Sequence, residues 1–129
     1  GVRCSRRLVG EHVIDHRELL KGTVYPDTIG VFPDHHHVYS PEHPHWHIPY
    51  RSLVARDREN LLVAGRLLSA DAVANELLRP IQGCILMGEA AGTAAALAVK
   101  AGVTPRNVDV KELQRQLLKQ GALLEGVPV

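Results

Sequence analysis

Aromatic side chains are scarce in this sequence of 129 residues, with one Phe, one Trp and three Tyr. That scarcity excludes a core built on stacked rings and leaves an aliphatic one. An excess of charge of one sign is also missing: 15 Lys and Arg face 14 Asp and Glu, a formal net charge of +1. There is therefore no electrostatic case for nucleic acid or an anionic membrane surface as partner. Cysteine is limited to Cys4 and Cys84, far apart and with no motif around either. This excludes a disulfide framework and favours two reduced thiols in a cytoplasmic protein. No signal peptide is visible in these residues, and no bilayer span is expected, because the longest apolar run is interrupted by Glu89 and flanked by polar residues. The length suits one domain with a modest core. A hydrophobic share of 45% and a charged share of 22% are those of an ordinary globular chain.

The most informative stretch runs from Asn60 to Gly102. Leu61-Leu62-Val63-Ala64 is a continuous apolar run that ends on Gly65, the pattern of a strand buried on both faces of a parallel sheet. From Ile81 to Ala101 the chain is alanine-rich and predicts one long helix. Gly88 and Gly92 fall four apart and share a face with Ala91, Ala95 and Ala96. A glycine costs about 1 kcal/mol in a helix interior, so two of them imply close approach of a strand, a helix or a flat ligand. Close packing on a sheet is the simpler of these readings. A Gly-x-x-x-Gly membrane dimer does not suit a run carrying Glu89.

Elsewhere the pattern is more ordinary. Arg3 to Ile14 reads as a strand with a bulge at Gly10 and with Leu8, Val9, Val13 and Ile14 as its apolar set. Asp15 suits an N-cap, His16 to Lys21 a short helix and Gly22 its stop. Thr28 to Phe32 and Ile48 to Val54 read as strands, and Ala72 to Leu78 as a short helix. Asp109 is a fitting N-cap for an amphipathic helix from Val110 to Gln120, stopped by Gly121.

Between Thr23 and His47 lie four prolines and six histidines, His35, His36, His37, His43, His45 and His47. Proline at that spacing leaves mostly loop. Imidazoles in such number raise a metal-binding module as an alternative, and His43, His45 and His47 would share one side of an extended segment. Against it, the close carboxylates are only Asp34 and Glu42, and no Cys joins the group.

Ordered along the chain are Ile48-Pro49-Tyr50-Arg51-Ser52-Leu53, Asn60-Leu61-Leu62-Val63-Ala64-Gly65-Arg66, Ser69-Ala70, Arg79 and Met87-Gly88-Glu89-Ala90-Ala91-Gly92-Thr93-Ala94-Ala95-Ala96. This set resembles the carboxyl-terminal part of bacterial FAD-dependent oxidoreductases, within the glutathione-reductase-like flavoprotein class. The likeness covers about Arg3 to Ala122. It implies an α/β fold: part of a Rossmann-like FAD-binding domain (the buried strand and the long Ala/Gly helix) with a few strands of a substrate domain. Residues 1–59 would be substrate-domain strands and the His/Pro-rich loop, and residues 60–129 the FAD-binding part, in one compact unit. The resemblance implies FAD as cofactor, a small organic substrate, and cofactor contacts at Gly65, Arg66, Arg79, Ile81, Gln82 and Gly83. An Asp-x-His element before the IPYRSL strand faces flavin and substrate in that family. Asp34 and His36 match it, and a histidine beside a carboxylate can move or orient a proton. Arg66 stands where the wider class has an acidic residue; it cannot accept a hydrogen bond, but can pair with pyrophosphate or a substrate carboxylate. Pro80 directly follows Arg79, whereas relatives tend to carry proline three residues after that arginine.

Such enzymes bind the ADP half of FAD through a strand, a Gly-x-Gly-x-x-Gly turn and a helix. This sequence contains no Gly-x-Gly-x-x-Gly, and its single methionine is Met87. The expectation is a carboxyl-terminal piece of a longer enzyme, holding half of a flavin site and inactive alone. Such a piece would expose faces meant for the other half, so a homo-oligomer is expected. A structural or interaction domain without catalysis is the third reading.

Overall fold

The computed structural model describes residues 5–33, 42–43, 45–124 and 126–127. Asp15 opens the first helix, α1 (His16–Leu20). Its side chain accepts the Arg17 N–H at 2.8 Å, while Glu18 takes the Asp15 N–H, forming a capping box. Gly22, at φ 64°, turns the chain away after it. Strand β1 (Thr28–Pro33) then pairs antiparallel with β2 (His45–Pro49), Val31 opposite His47 and Phe32 opposite Trp46. The Phe32 and Trp46 rings stack with centroids 6.2 Å apart.

Helices α2 (Ala72–Leu78), α3 (Ile81–Ala101) and α4 (Val110–Lys119) fall where the sequence placed them. Asp71 caps α2 through the Ala74 N–H and Asp109 caps α4 through those of Lys111 and Glu112. One side of α3, formed by Gly83, Met87, Ala90, Ala94 and Ala98, packs into the core against β1 and α4. Gln114 of α4 is fully buried. Its amide donates to the Pro26 and Thr28 carbonyls, both at 3.0 Å, and ties α4 to the start of β1.

The core draws on the whole described chain, from Ile14 and Leu19 through Ile48, Leu53 and Leu68 to Leu113 and Leu117, and it is mainly aliphatic, with Phe32, Trp46 and Tyr50 set within it. Within it the Tyr50 hydroxyl donates to the Pro105 carbonyl at 2.8 Å, and burial pushes its pKa up.

Three strand expectations fail. Residues 61–65 are not a buried parallel strand. They hold a single antiparallel bridge, Val54 with Leu62, flanked by Ala55 N–H to Leu61 O and Val63 N–H to Leu53 O. Leu61 is 42% exposed, and Gly65, at φ 68°, begins a 3-10 turn. A parallel strand needs parallel partners on its edges, and among the described residues this run has only the short antiparallel contact with Leu53–Ala55. Residues 5–14 likewise make only isolated bridges, Gly10 with Ala55 and Ile14 with Ala70. Val9 and Val13 of the expected apolar set face solvent. The strand expected from Ile48 to Val54 ends at Pro49, where a 3-10 turn over Tyr50–Ser52 takes over. There the Asp27 carboxylate accepts the Arg51 N–H and pairs with its guanidinium. The described sheet is thus two-stranded and antiparallel, with helices around it, rather than a parallel α/β sheet. The apolar run in α3 is also longer than expected: by length and composition alone the helix could cross a membrane.

Candidate functional site

The first turn of α3 offers unpaired backbone donors. Pro80 occupies its N-cap and no side chain caps it. The Ile81, Gln82 and Gly83 N–H groups therefore lie outside the helix's own ladder, and the Cys84 N–H is the first bonded back, to Pro80 O at 3.0 Å. Ile81 and Gln82 are exposed. This terminus concentrates positive dipole and suits an anionic or acceptor edge.

The Gly65–Arg66 turn sits against that terminus. Gly65 is buried at positive φ, and a Cβ there would lie 3.4 Å from Cys84 Sγ. Cys84 itself bonds to the Arg79 carbonyl at 3.3 Å. From the other side, the buried Asn75 of α2 donates to the Arg66 carbonyl at 3.2 Å. The turn is thereby clamped between α2 and α3, and the Arg66 side chain projects into solvent. Arg79 behaves differently: its guanidinium lies against Glu76 of α2, with Nε 2.8 Å from the carboxylate, and is only 17% exposed. The structure thus brings Gly65, Arg66, Ile81, Gln82 and Gly83 together at one end of α3, with Arg79 turned onto α2. Gly83 has a local reason to be glycine, since a Cβ would meet the Leu78 carbonyl oxygen at 2.2 Å.

Asp34 and His36 lie outside the described residues, as do His35 and His37. Of the other loop histidines, His43 and His45 are exposed while His47 is 6% exposed on β2. Its Nδ1 has no hydrogen-bond partner, and burial, then the nearby His45, pushes its pKa down. Among the described residues, His43, His45 and His47 form no group with metal-ligand spacing. The one such group is Asp15, His16 and Asp71, with ligand atoms within 4.8 Å. Its oxygens are already engaged. Asp15 takes the Arg17 N–H and guanidinium, which hold its carboxyl low. Asp71 takes the Ala74 N–H, the His16 N–H and His16 Nδ1 at 2.8 Å. Burial works to raise Asp71, but those bonds outweigh it and its pKa falls. With a guanidinium on one carboxylate, the group fastens α1 to α2 and is a poor cation site. Sequence reasoning did not single out His16 or Asp71. The signal available was Asp71 standing one residue before an Ala-rich helix, an N-cap position.

A sequence profile for FAD dependent oxidoreductases matches residues 1–117. The chain belongs to that family. No curated protein and no solved structure matches it. Family membership implies FAD in the full-length protein, and the site fits one edge of it. The exposed Ile81 and Gln82 donors, the solvent-exposed Arg66 and the close Gly65 turn supply donors and positive charge at this end of the helix.

Proposed function

We propose that this chain is the carboxyl-terminal portion of a longer FAD-dependent oxidoreductase, bacterial, cytoplasmic and of the glutathione-reductase-like class. It would furnish one half of the flavin site and no turnover by itself. The observation that carries this reading is the uncapped first turn of α3 set against the Gly65–Arg66 turn. When bound, FAD supplies two-electron chemistry on a small organic molecule, carbohydrate-derived ones included. The chain's own residues would then act as follows. Ile81 and Gln82 N–H groups, with the helix dipole behind them, hold negative charge at the flavin's pyrimidine edge. Arg66 pairs with the pyrophosphate or with a substrate carboxylate. Asp34 and His36 hold and move the substrate proton. Residues 1–59 contribute to a substrate domain and 60–129 to a Rossmann-like FAD-binding domain. Neither nucleic acid nor membrane is a partner on this reading, in keeping with the net charge of +1.

An absorbance spectrum from about 300 to 550 nm, taken of the full-length protein beside the 129-residue chain, tests it. A flavin band in the long form alone is the expected result. A long form that shows no flavin even after added FAD would end this reading.

A further inference from the structure

Asn75 is an unexpected residue for its place. It stands in the middle of α2, where asparagine is a poor helix former because its amide competes for backbone bonds. It is also fully buried, between Ala74 on one side and Leu78 one turn on, which are fully buried too and supply apolar packing. A buried amide destabilises the fold unless it is bonded, so the partner it finds is informative. Its Nδ2 donates to the Arg66 carbonyl at 3.2 Å.

That bond completes the turn that carries Arg66. The 3-10 turn Gly65–Leu67 has three carbonyls to satisfy. Gly65 O accepts the Leu68 N–H at 3.0 Å, and Leu67 O accepts the Leu8 N–H at 2.9 Å. The Arg66 carbonyl between them is taken by the Asn75 side chain. Gly65 before it is buried at φ 68° beside Cys84 Sγ, and Leu68 after the turn is fully buried. The Arg66 backbone is thus held before, after and at its own carbonyl, while its side chain is exposed. An arginine on a mobile loop loses backbone and rotamer freedom when it grips an anion; on a held backbone only the rotamers are lost. Arg79, at the other end of α2, is already engaged by Glu76.

We infer that Asn75 is a positioning residue of the flavin site. Through the Arg66 carbonyl it fixes the base from which the Arg66 guanidinium pairs with an anionic oxygen, of the FAD pyrophosphate or of a substrate carboxylate. The inference rests on the flavin reading above and adds to it a residue that touches no ligand itself. A double-mutant cycle in the full-length protein tests it. Asn75→Ala and Asn75→Leu both remove the donor; the first suits a helix and the second keeps the volume. Each is made alone and together with Arg66→Gln. Two affinities are measured, that of the apoprotein for FAD and that of the flavin-loaded protein for acetate, both followed by flavin absorbance. The expected result is that each Asn75 change weakens one of the two at least about 10-fold when Arg66 is present, and less than about 2-fold in the Arg66→Gln background. A loss in FAD affinity assigns the anion to the pyrophosphate, and a loss in acetate affinity alone assigns it to a substrate carboxylate. Equal losses in both backgrounds would show Asn75 acting on the fold and not through Arg66, and would overturn the inference. Native affinities in every variant would overturn it too, and either result leaves the flavin reading standing. A full-length protein that takes up no FAD would remove the two together.

Discussion

At the scale of single residues, His47 and two carboxylates held low, Asp71 and the more exposed Asp15, shape the acid side of the stability curve. His47 is buried with its Nδ1 unpartnered, and its folded pKa is pushed below the ordinary 6.5. As pH falls through 6.5 the unfolded chain gains a proton that the folded chain refuses. Stability present above that pH is therefore lost progressively below it, down to the folded pKa. Asp71, held low by its bonds to α1 and α2, repeats the effect from 3.8 downward. Urea midpoints measured from neutral pH to the acid limit should show two declines. His47→Gln should flatten the first and Asp71→Asn should shrink the second; a His47→Gln curve that kept the first decline would remove the assignment. Asp71→Ala also deletes the α2 cap and the His16 link, and should cost about 1 kcal/mol at neutral pH. Gly83 is the least replaceable residue of the site. Because the clash of an added Cβ is with backbone, the Leu78 carbonyl, Gly83→Ala should destabilise by about 3 kcal/mol or more, read as a drop in melting temperature.

Among the elements, α3 and α4 separate local propensity from packing. Gly92→Ala fills open space in this chain and improves the helix, so it should stabilise the 129-residue chain by about 1 kcal/mol. The same change in the full-length protein should lose stability if the face carrying Gly92 is covered. A gain of equal size in both forms would speak against close approach. α4 depends on one side chain for its docking. Gln114→Leu would leave the Pro26 and Thr28 carbonyls without their donor and should cost about 1–3 kcal/mol, seen in chemical denaturation.

For the whole molecule, the exposed apolar face of α3, with Ile81, Ile85 and Val99 74%, 66% and 84% exposed, sets the solution behaviour. The 129-residue chain should self-associate through it. Sedimentation across a concentration series should show a rising average mass, and Val99→Glu should abolish the rise. A clean monomer at every concentration would contradict both the homo-oligomer expectation and that face's role in it.

Much of this architecture was legible in the amino-acid order because it depends on neighbours a few residues apart. Asp15, Asp109, Gly22 and Pro80 mark helix ends through bonds and dihedrals that are local, and α1, α2, α3 and α4 appear within a residue of their expected limits. The Gly65–Arg66 turn was a candidate only through the ordered family motifs, and the amino end of α3 through those motifs and the open N–H groups of a helix start. What tertiary structure alone decided was strand pairing and the use of side chains across long separations. An apolar run such as Leu61 to Ala64 is a strand only if edges exist for it to pair with, and here it finds one rung. Arg79 was a candidate cofactor ligand by position, yet its guanidinium lies on Glu76, a choice of rotamer and partner that spacing does not fix. His16 meets Asp71 over 55 residues of sequence, and Gln114 meets Thr28 over 86. Sequence specified the helices by local energetics; the contacts that hold them, and the face of α3 left uncovered, follow from which surfaces the folded chain can bring together.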